Sequence, residues 1–309
     1  MDAVRIEAPA KVNLDLVVHG RRPDGFHELT TTMVLAGVRD VLELGRARRA
    51  GVTCEVDGPC ATEDVPTDAR NLAVASLERG LAVLSATGPA PQGVHLRLTK
   101  SVPAGAGLGG GSSDAAAALL GLERLAGREL GPVVRASILA DLGSDTVFFD
   151  AAGRTGAGLC TGRGERVRSA PSPSGWWAAL LTPAVVVPTG PVFAALDAAP
   201  WTPGTPTALE PVDWTALTPT AARAHLRNDL ESPALEAAPG LRSWRALLDE
   251  RAPGAFALSG SGSSFFAPCE SRSAAETLVA EVEGAAAGAG LELRGSWAVP
   301  LGSGVLAQD

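Results

Sequence analysis

The chain has 309 residues, of which 46% are hydrophobic and 19% charged, and a formal net charge of −8. That composition describes a soluble globular protein and excludes a disordered one. The acidic balance sets the molecule as a whole against nucleic acid and anionic membrane, and no apolar run reaches the length of a membrane span. Residues 1–7 lack the basic and apolar parts of a signal peptide. Cys54, Cys60, Cys160 and Cys269 form no CxxC pair, and no histidines stand at ligand spacing. The expectation is a cytoplasmic protein with ordinary thiols and no structural metal, acting on a small molecule, with no nucleic-acid or membrane partner. Its oligomeric state is not legible. Only two of the 26 basic residues are lysines, Lys11 and Lys100, and tyrosine is absent, so no phenol serves as acid or base.

In chain order, short strands are expected over 4–7 and 12–18, on either side of Pro9. A loop over 19–27 turns at Pro23-Asp24-Gly25. Strands over 29–35, 41–44 and 52–56 precede an irregular connection at 57–69 and an amphipathic helix over 71–84. The alternating segment 94–98 leads through Lys100 into a glycine-rich loop and a helix that runs to about Ala126. Pro132 suits the first position of a helix over 132–142, after which Gly143-Ser144-Asp145 breaks into an apolar strand at 147–149. Glycines over 153–164 mark a hairpin or a domain boundary. Strands over 177–181 and 184–187, a connection over 199–219, and helices over 219–227 and 240–251 follow. A short strand at 256–258 enters a second glycine loop, Ser259-Gly260-Ser261-Gly262-Ser263-Ser264, and a helix over 272–287 and a strand over 291–299 finish the chain. The mixture is α+β, without internal repeats.

The densest signal is Pro103-Ala104-Gly105-Ala106-Gly107-Leu108-Gly109-Gly110-Gly111-Ser112-Ser113-Asp114, with five glycines in seven residues ahead of a run of helix formers. Glycine costs conformational entropy, so this density requires a backbone that comes close to something. At the N-terminus of a helix, that something is favoured to be an anion. A Walker loop needs a lysine directly after its last glycine, and Gly111 stands in that place. Gly105, Gly107 and Gly110 satisfy the dinucleotide fingerprint, but that reading needs an acid at the end of a second strand, and Glu123 lies in the helix itself. A third kind remains, a glycine-serine loop that feeds a helix beginning with hydroxyls.

That third kind, as Pro103 to Ser113, resembles the ATP-binding motif of the galactokinase, homoserine kinase, mevalonate kinase and phosphomevalonate kinase (GHMP kinase) superfamily. Ala8-Pro9-Ala10-Lys11-Val12-Asn13-Leu14 is similar to its N-terminal motif, and Leu258-Ser259-Gly260-Ser261-Gly262 to its C-terminal glycine motif. Within the superfamily, Arg22-Pro23-Asp24-Gly25-Phe26-His27-Glu28-Leu29 resembles the R-x-D-G-Y-H signature of the 4-diphosphocytidyl-2-C-methyl-D-erythritol kinases of the non-mevalonate isoprenoid pathway. Asp68-Ala69-Arg70-Asn71-Leu72, Leu142-Gly143-Ser144-Asp145, Pro188-Thr189-Gly190-Pro191-Val192-Phe193 and Asn228-Asp229-Leu230 follow in register.

The resemblance implies a two-domain α+β fold, with an N-terminal ATP-binding domain at 1–153, a C-terminal domain at 154–309 and the active site in the cleft between them. It implies ATP as phosphoryl donor, with Mg²⁺, and Lys11 and Asp145 as the catalytic pair, Asp145 as base for the substrate hydroxyl. Pro103, Ala104, Gly105, Ala106, Gly107, Leu108, Gly109, Gly110, Gly111, Ser112 and Ser113 would wrap the phosphates, Asn71 and Leu72 would lie near the adenine, and Lys100 on the nucleotide side. Phe26 and Phe193 would stack on the cytosine, His27 would read its edge, and Asn13 and Thr189 would add polar contacts. Asp114 is expected as a cap at the helix start. No glutamate is set aside for Mg²⁺, which would be held by phosphates, water and Asp145. The chain departs from the family in having Phe26 for its tyrosine and Asp145-Thr146-Val147 for its Asp-Val-Pro.

Overall fold

Two long strands, β1 (Ala3–Arg21) and β2 (His27–Ala47), merge the four short N-terminal strands expected from the sequence. Pro9 does not break β1, because there β1 is the edge of its sheet, and a missing backbone N–H on an edge breaks no ladder. The computed structural model describes residues 3–153, 155–198 and 212–303, so most of the connection expected over 199–219 lies outside the described residues. The chain forms two interleaved compact units. The first takes the described residues within Met1–Ala10, Val38–Ala104 and Gly109–Asp150, and the second those within Lys11–Gly37, Gly105–Leu108 and Ala151–Asp309.

In the first unit, β3 (Gly51–Asp57) lies parallel to β4 (Gly93–Thr99), and β4 is antiparallel to the end of β2, giving the order β3-β4-β2-β1. The helices are α1 (Leu72–Thr87), α2 (Gly110–Ala126) and α3 (Pro132–Ala140). A Cβ on Gly121 of α2 would stand 2.9 Å from Leu44 Cδ1, so the missing side chain lets α2 approach the sheet. After α3, residues 147–149 are not a strand but belong to helix α4 (Thr146–Ala152), which buries Phe148 completely. A short apolar run has no period that separates strand from helix, and that is why the sequence misled here.

In the second unit, the glycine-rich stretch forms the hairpin of β5 (Ala157–Gly162) and β6 (Arg166–Ser169), with β5 antiparallel to the first part of β2. A second sheet holds β7 (Trp177–Pro183) beside the C-terminal strands introduced below. The expected strand at 184–187 is irregular, and the chain then forms α5 (Thr189–Ala198), α6 (Pro219–Ala222), a two-residue strand β8 (Arg227–Asn228) parallel to β1, α7 (Glu231–Ala237) and α8 (Gly240–Arg251). The remaining elements are β9 (Ala257–Leu258), β10 (Phe265–Cys269), α9 (Arg272–Gly288) and β11 (Leu293–Pro300), and the sheet order is β11-β7-β10-β9. All five residues of β10 are buried, so it lacks the alternation by which a strand is read, and Pro268 within it argues against one.

Trp244 on α8, fully enclosed, shares its core with Leu241, Leu248, Leu258 and Phe265. Trp244→Ala is expected to cost about 3–5 kcal/mol, read as a fall in the urea midpoint.

Candidate active site

Gly105, Gly107 and Gly109 take φ values of 65°, 77° and 70°, the left-handed region that other residues enter at a cost. A Cβ on Gly107 would also stand 2.1 Å from the Ser259 carbonyl oxygen, so the second glycine loop lies directly against it. Three successive carbonyls of the first loop are occupied. Ala106 O accepts from Ser264 N at 3.1 Å, Gly107 O from Ser259 Oγ at 2.9 Å, and Leu108 O from Lys11 N at 2.9 Å. Asn228 fixes the second loop in turn. Its Nδ2 donates to Leu258 O at 2.8 Å and Gly260 O at 2.7 Å, while its Oδ1 accepts from Leu230 N at 2.9 Å.

Helix α2 starts with Gly109 as its N-cap residue and has no side-chain cap. Helix N-termini leave N–H groups without intrahelical partners. Among the described residues no capping side chain meets them, and Gly111 beside them is exposed. Ser113 is buried and Ser112 half-buried. Leu72 lies beside this turn, since a Cβ on Gly111 would be 3.7 Å from Leu72 Cδ1. Asn71 spends its amide locally: Oδ1 caps α1 by accepting from Ala73 N at 3.0 Å, and Nδ2 donates to Pro66 O at 2.8 Å.

Asp114 is not the cap of α2. Gly109 holds that position, and Asp114 points inward from the first turns of the helix. Its Oδ2 accepts from Lys100 Nζ at 2.7 Å, and the same ammonium is bound by Asp40, with all three side chains buried. Asp40 Oδ1 also accepts from the backbone N–H of Ser101 at 2.6 Å and Val102 at 2.8 Å. Lys100 therefore sits inside an ion cluster that ties the entry of the glycine loop to the first turns of α2. One ammonium faces two carboxylates, and burial raises Asp114 to about 8, with Lys100 opposing the shift and Asp40 adding to it. Burial alone would lower Lys100, but the carboxylates outweigh it and raise the ammonium instead. Asp40 was not anticipated. The sign available in the sequence was an acid in the apolar run Val38-Arg39-Asp40-Val41-Leu42.

Asp145, half-buried, immediately precedes α4. Next to it, the buried Thr146 hydroxyl reaches Leu139 O at 2.5 Å and Gly143 O at 2.7 Å. A side-chain clamp thus holds the chain immediately after Asp145. A Cβ on Gly143 would lie 3.9 Å from Ser112 Oγ, so the Asp145 segment and the first turn of α2 are neighbours in the first unit.

Lys11 belongs to the second unit, buried in β1, and its Nζ donates to Asn13 Oδ1 at 2.7 Å. Asn13 is equally buried, and its Nδ2 donates to Thr31 Oγ1 at 2.8 Å.

The segment 22–28 is a local clamp. Arg22 pairs with Asp24 and with Glu28 Oε2 at 2.8 Å, Asp24 Oδ1 accepts from Phe26 N at 3.1 Å, and Gly25 turns at φ 87°. Phe26 is left 49% exposed, with the Arg163 guanidinium 4.9 Å from its ring centroid. His27 is buried, stacked on Phe193 at 4.7 Å and 23°, with Nε2 2.8 Å from Asp197 Oδ1. Asp197 is a second residue the sequence did not point out. Thr189 is exposed and shares a hydrogen bond with Ser261 Oγ at 3.0 Å. Among the described residues no three His, Cys, Asp or Glu side chains gather as a metal site, and no described helix is long and apolar enough to cross a membrane.

The ordinary carboxylate value is 3.8, and folding moves Asp114 to about 8, so the folded chain keeps a proton that the unfolded chain releases. Its contribution to stability is full in acid and is lost as pH rises toward 8. Asp114→Asn is expected to flatten this part of the stability–pH curve, measured as urea midpoints for both proteins across that range.

Comparison with known proteins places these features. The family description "GHMP kinases N terminal domain" matches residues 71–153, and "GHMP kinases C terminal" matches residues 214–287. The 4-diphosphocytidyl-2-C-methyl-D-erythritol kinase of Desulfotalea psychrophila is 34% identical over 85% of this chain and 84% of its own length. That of Methylobacterium radiotolerans is 39% identical over 90% of this chain and 93% of its own. A crystal structure of a 4-(cytidine 5'-diphospho)-2C-methyl-D-erythritol kinase superposes with a TM-score of 0.73 at 30% identity, covering 97% of this chain and 99% of that one. The glycine loop, the Arg22–His27 segment and these likenesses agree, and the chain belongs to the 4-diphosphocytidyl-2-C-methyl-D-erythritol kinase family of GHMP kinases.

Proposed function

We propose that the chain transfers the γ-phosphoryl group of ATP to the 2-hydroxyl of 4-diphosphocytidyl-2-C-methyl-D-erythritol, in the non-mevalonate isoprenoid pathway. The observation that carries this reading is the start of α2, where a helix of 17 residues has no side-chain cap and follows a loop held down by its carbonyls. Backbone amides at such a terminus, aided by the helix dipole, suit the phosphates of ATP. Phosphoryl transfer asks a protein chiefly for positioning and for stabilisation of charge. In this reading Ser112 and Ser113 add hydroxyls to the cradle, and Leu72, beside Gly111, gives the adenine an apolar neighbour.

Asp145 is the base that accepts the proton of the substrate hydroxyl, and the Lys11 ammonium orients that hydroxyl and the transferring group. An Mg²⁺ ion would arrive on the nucleotide and be held mostly by phosphates, water and Asp145. When bound, the ion neutralises charge on the phosphates. Lys100 supports the loop from within its ion cluster. For the cytosine, exposed Phe26 and half-buried Phe193 offer ring faces, His27 a ring nitrogen for the base edge, and Thr189 a hydroxyl nearby.

ADP release measured with the cytidyl substrate, homoserine and mevalonate tests the assignment. Turnover is expected with the first alone, and preference for either of the others overturns it. Asp145→Asn is expected to lower kcat by roughly 10²–10⁴-fold while ATP still binds in a titration. Wild-type turnover in that variant removes Asp145 from the mechanism.

A further inference from the structure

The polarity of the hydrogen bonds below Lys11 determines which way each group points. Thr31 Oγ1 contacts two partners, the Asp15 carbonyl oxygen and Asn13 Nδ2. A carbonyl can only accept, so the single hydroxyl hydrogen of Thr31 is committed to Asp15 O. Thr31 Oγ1 is then an acceptor toward Asn13, which must present its NH₂ group to Thr31. The other end of the amide, Oδ1, therefore faces Lys11 Nζ at 2.7 Å. Ser259 does not compete for this place. Its hydroxyl lies 2.9 Å from Gly107 O and 3.4 Å from Asn13 Oδ1, so its hydrogen serves the glycine loop.

The chain of donors runs without a free choice from the backbone of β1 to the ammonium. Thr31, Asn13 and Lys11 are 1%, 2% and 3% exposed, so water does not substitute for a missing member. Were the Asn13 amide reversed, its NH₂ would face the ammonium, donor against donor. We infer that Thr31 is a positioning residue for phosphoryl transfer: its hydroxyl sets the orientation of the Asn13 amide, and through it aims the Lys11 ammonium. This rests on Lys11 having the catalytic role proposed above.

Thr31→Val keeps the shape and removes the hydroxyl, and Thr31→Ser keeps the hydroxyl and removes the methyl. For Thr31→Val, kcat is expected to fall roughly 10–100-fold with little change in KM for either substrate, as displacement of one reacting group does. Thr31→Ser is expected to restore most of it. A second readout does not depend on activity. The chain has only two lysines, Lys11 and Lys100, so protein labelled with ¹⁵N at lysine Nζ gives two signals. Thr31→Val is expected to move the Lys11 signal and leave that of Lys100 in its ion cluster unchanged. If the Lys11 signal moves but the wild type prefers another alcohol, the positioning chain stands and the substrate assignment fails. An unmoved Lys11 signal, wild-type kcat in Thr31→Val, or an equal loss in Thr31→Ser overturns the inference. Should Thr31→Val not fold, Thr31→Ala read in the same two ways decides it.

Discussion

The glycine loop depends on one constraint: three of its successive carbonyls are held by donors from the protein around it. Ala106, Gly107 and Leu108 each give their oxygen to a donor from Ser264, Ser259 or Lys11. Presenting these carbonyls to donors from two other segments takes a backbone that turns sharply within a few residues. Gly105, Gly107 and Gly109 allow it, with φ values between 65° and 77°. The composition of the loop follows from this geometry. Gly107 is required twice over, by its φ and by the Ser259 carbonyl against which a side chain would collide. The same donors explain the second glycine loop. The Ser259 hydroxyl and the Ser264 backbone N–H hold the first loop, and the Asn228 side chain holds the second.

What the sequence made legible is what is local. Arg22, Asp24, Gly25 and Glu28 close their clamp within seven residues, so the segment that displays Phe26 and His27 could be read as a unit. The glycine loop, with its strand before and helix after, was legible for the same reason. The ion cluster was not, because its members, Asp40, Lys100 and Asp114, come from a strand, a strand end and a helix. Asp114 looked like a cap since acids near a helix start usually serve the dipole. Burial behind Lys100 outweighs that tendency here. The strands were harder still. β10 is buried along its whole length, and the apolar run after Asp145 coils into α4; neither has the alternation that marks a half-buried strand.

The scarcity of lysine acquires a physical meaning from the structure. Both lysines are buried, and each is met by oxygen acceptors from its own unit: Lys100 by the carboxylates of Asp40 and Asp114, Lys11 by the amide oxygen of Asn13. An arginine would bring a planar fork with five donors in place of a compact ammonium. Carboxylates surround Lys100 and hold the entry of the glycine loop to the first turns of α2. Asn13 meets the Lys11 ammonium with its amide oxygen. The amide of Asn13 has two ends that can be exchanged, one that accepts and one that donates. Thr31, committed to the carbonyl of Asp15, removes that ambiguity and sets which end of the amide faces the ammonium.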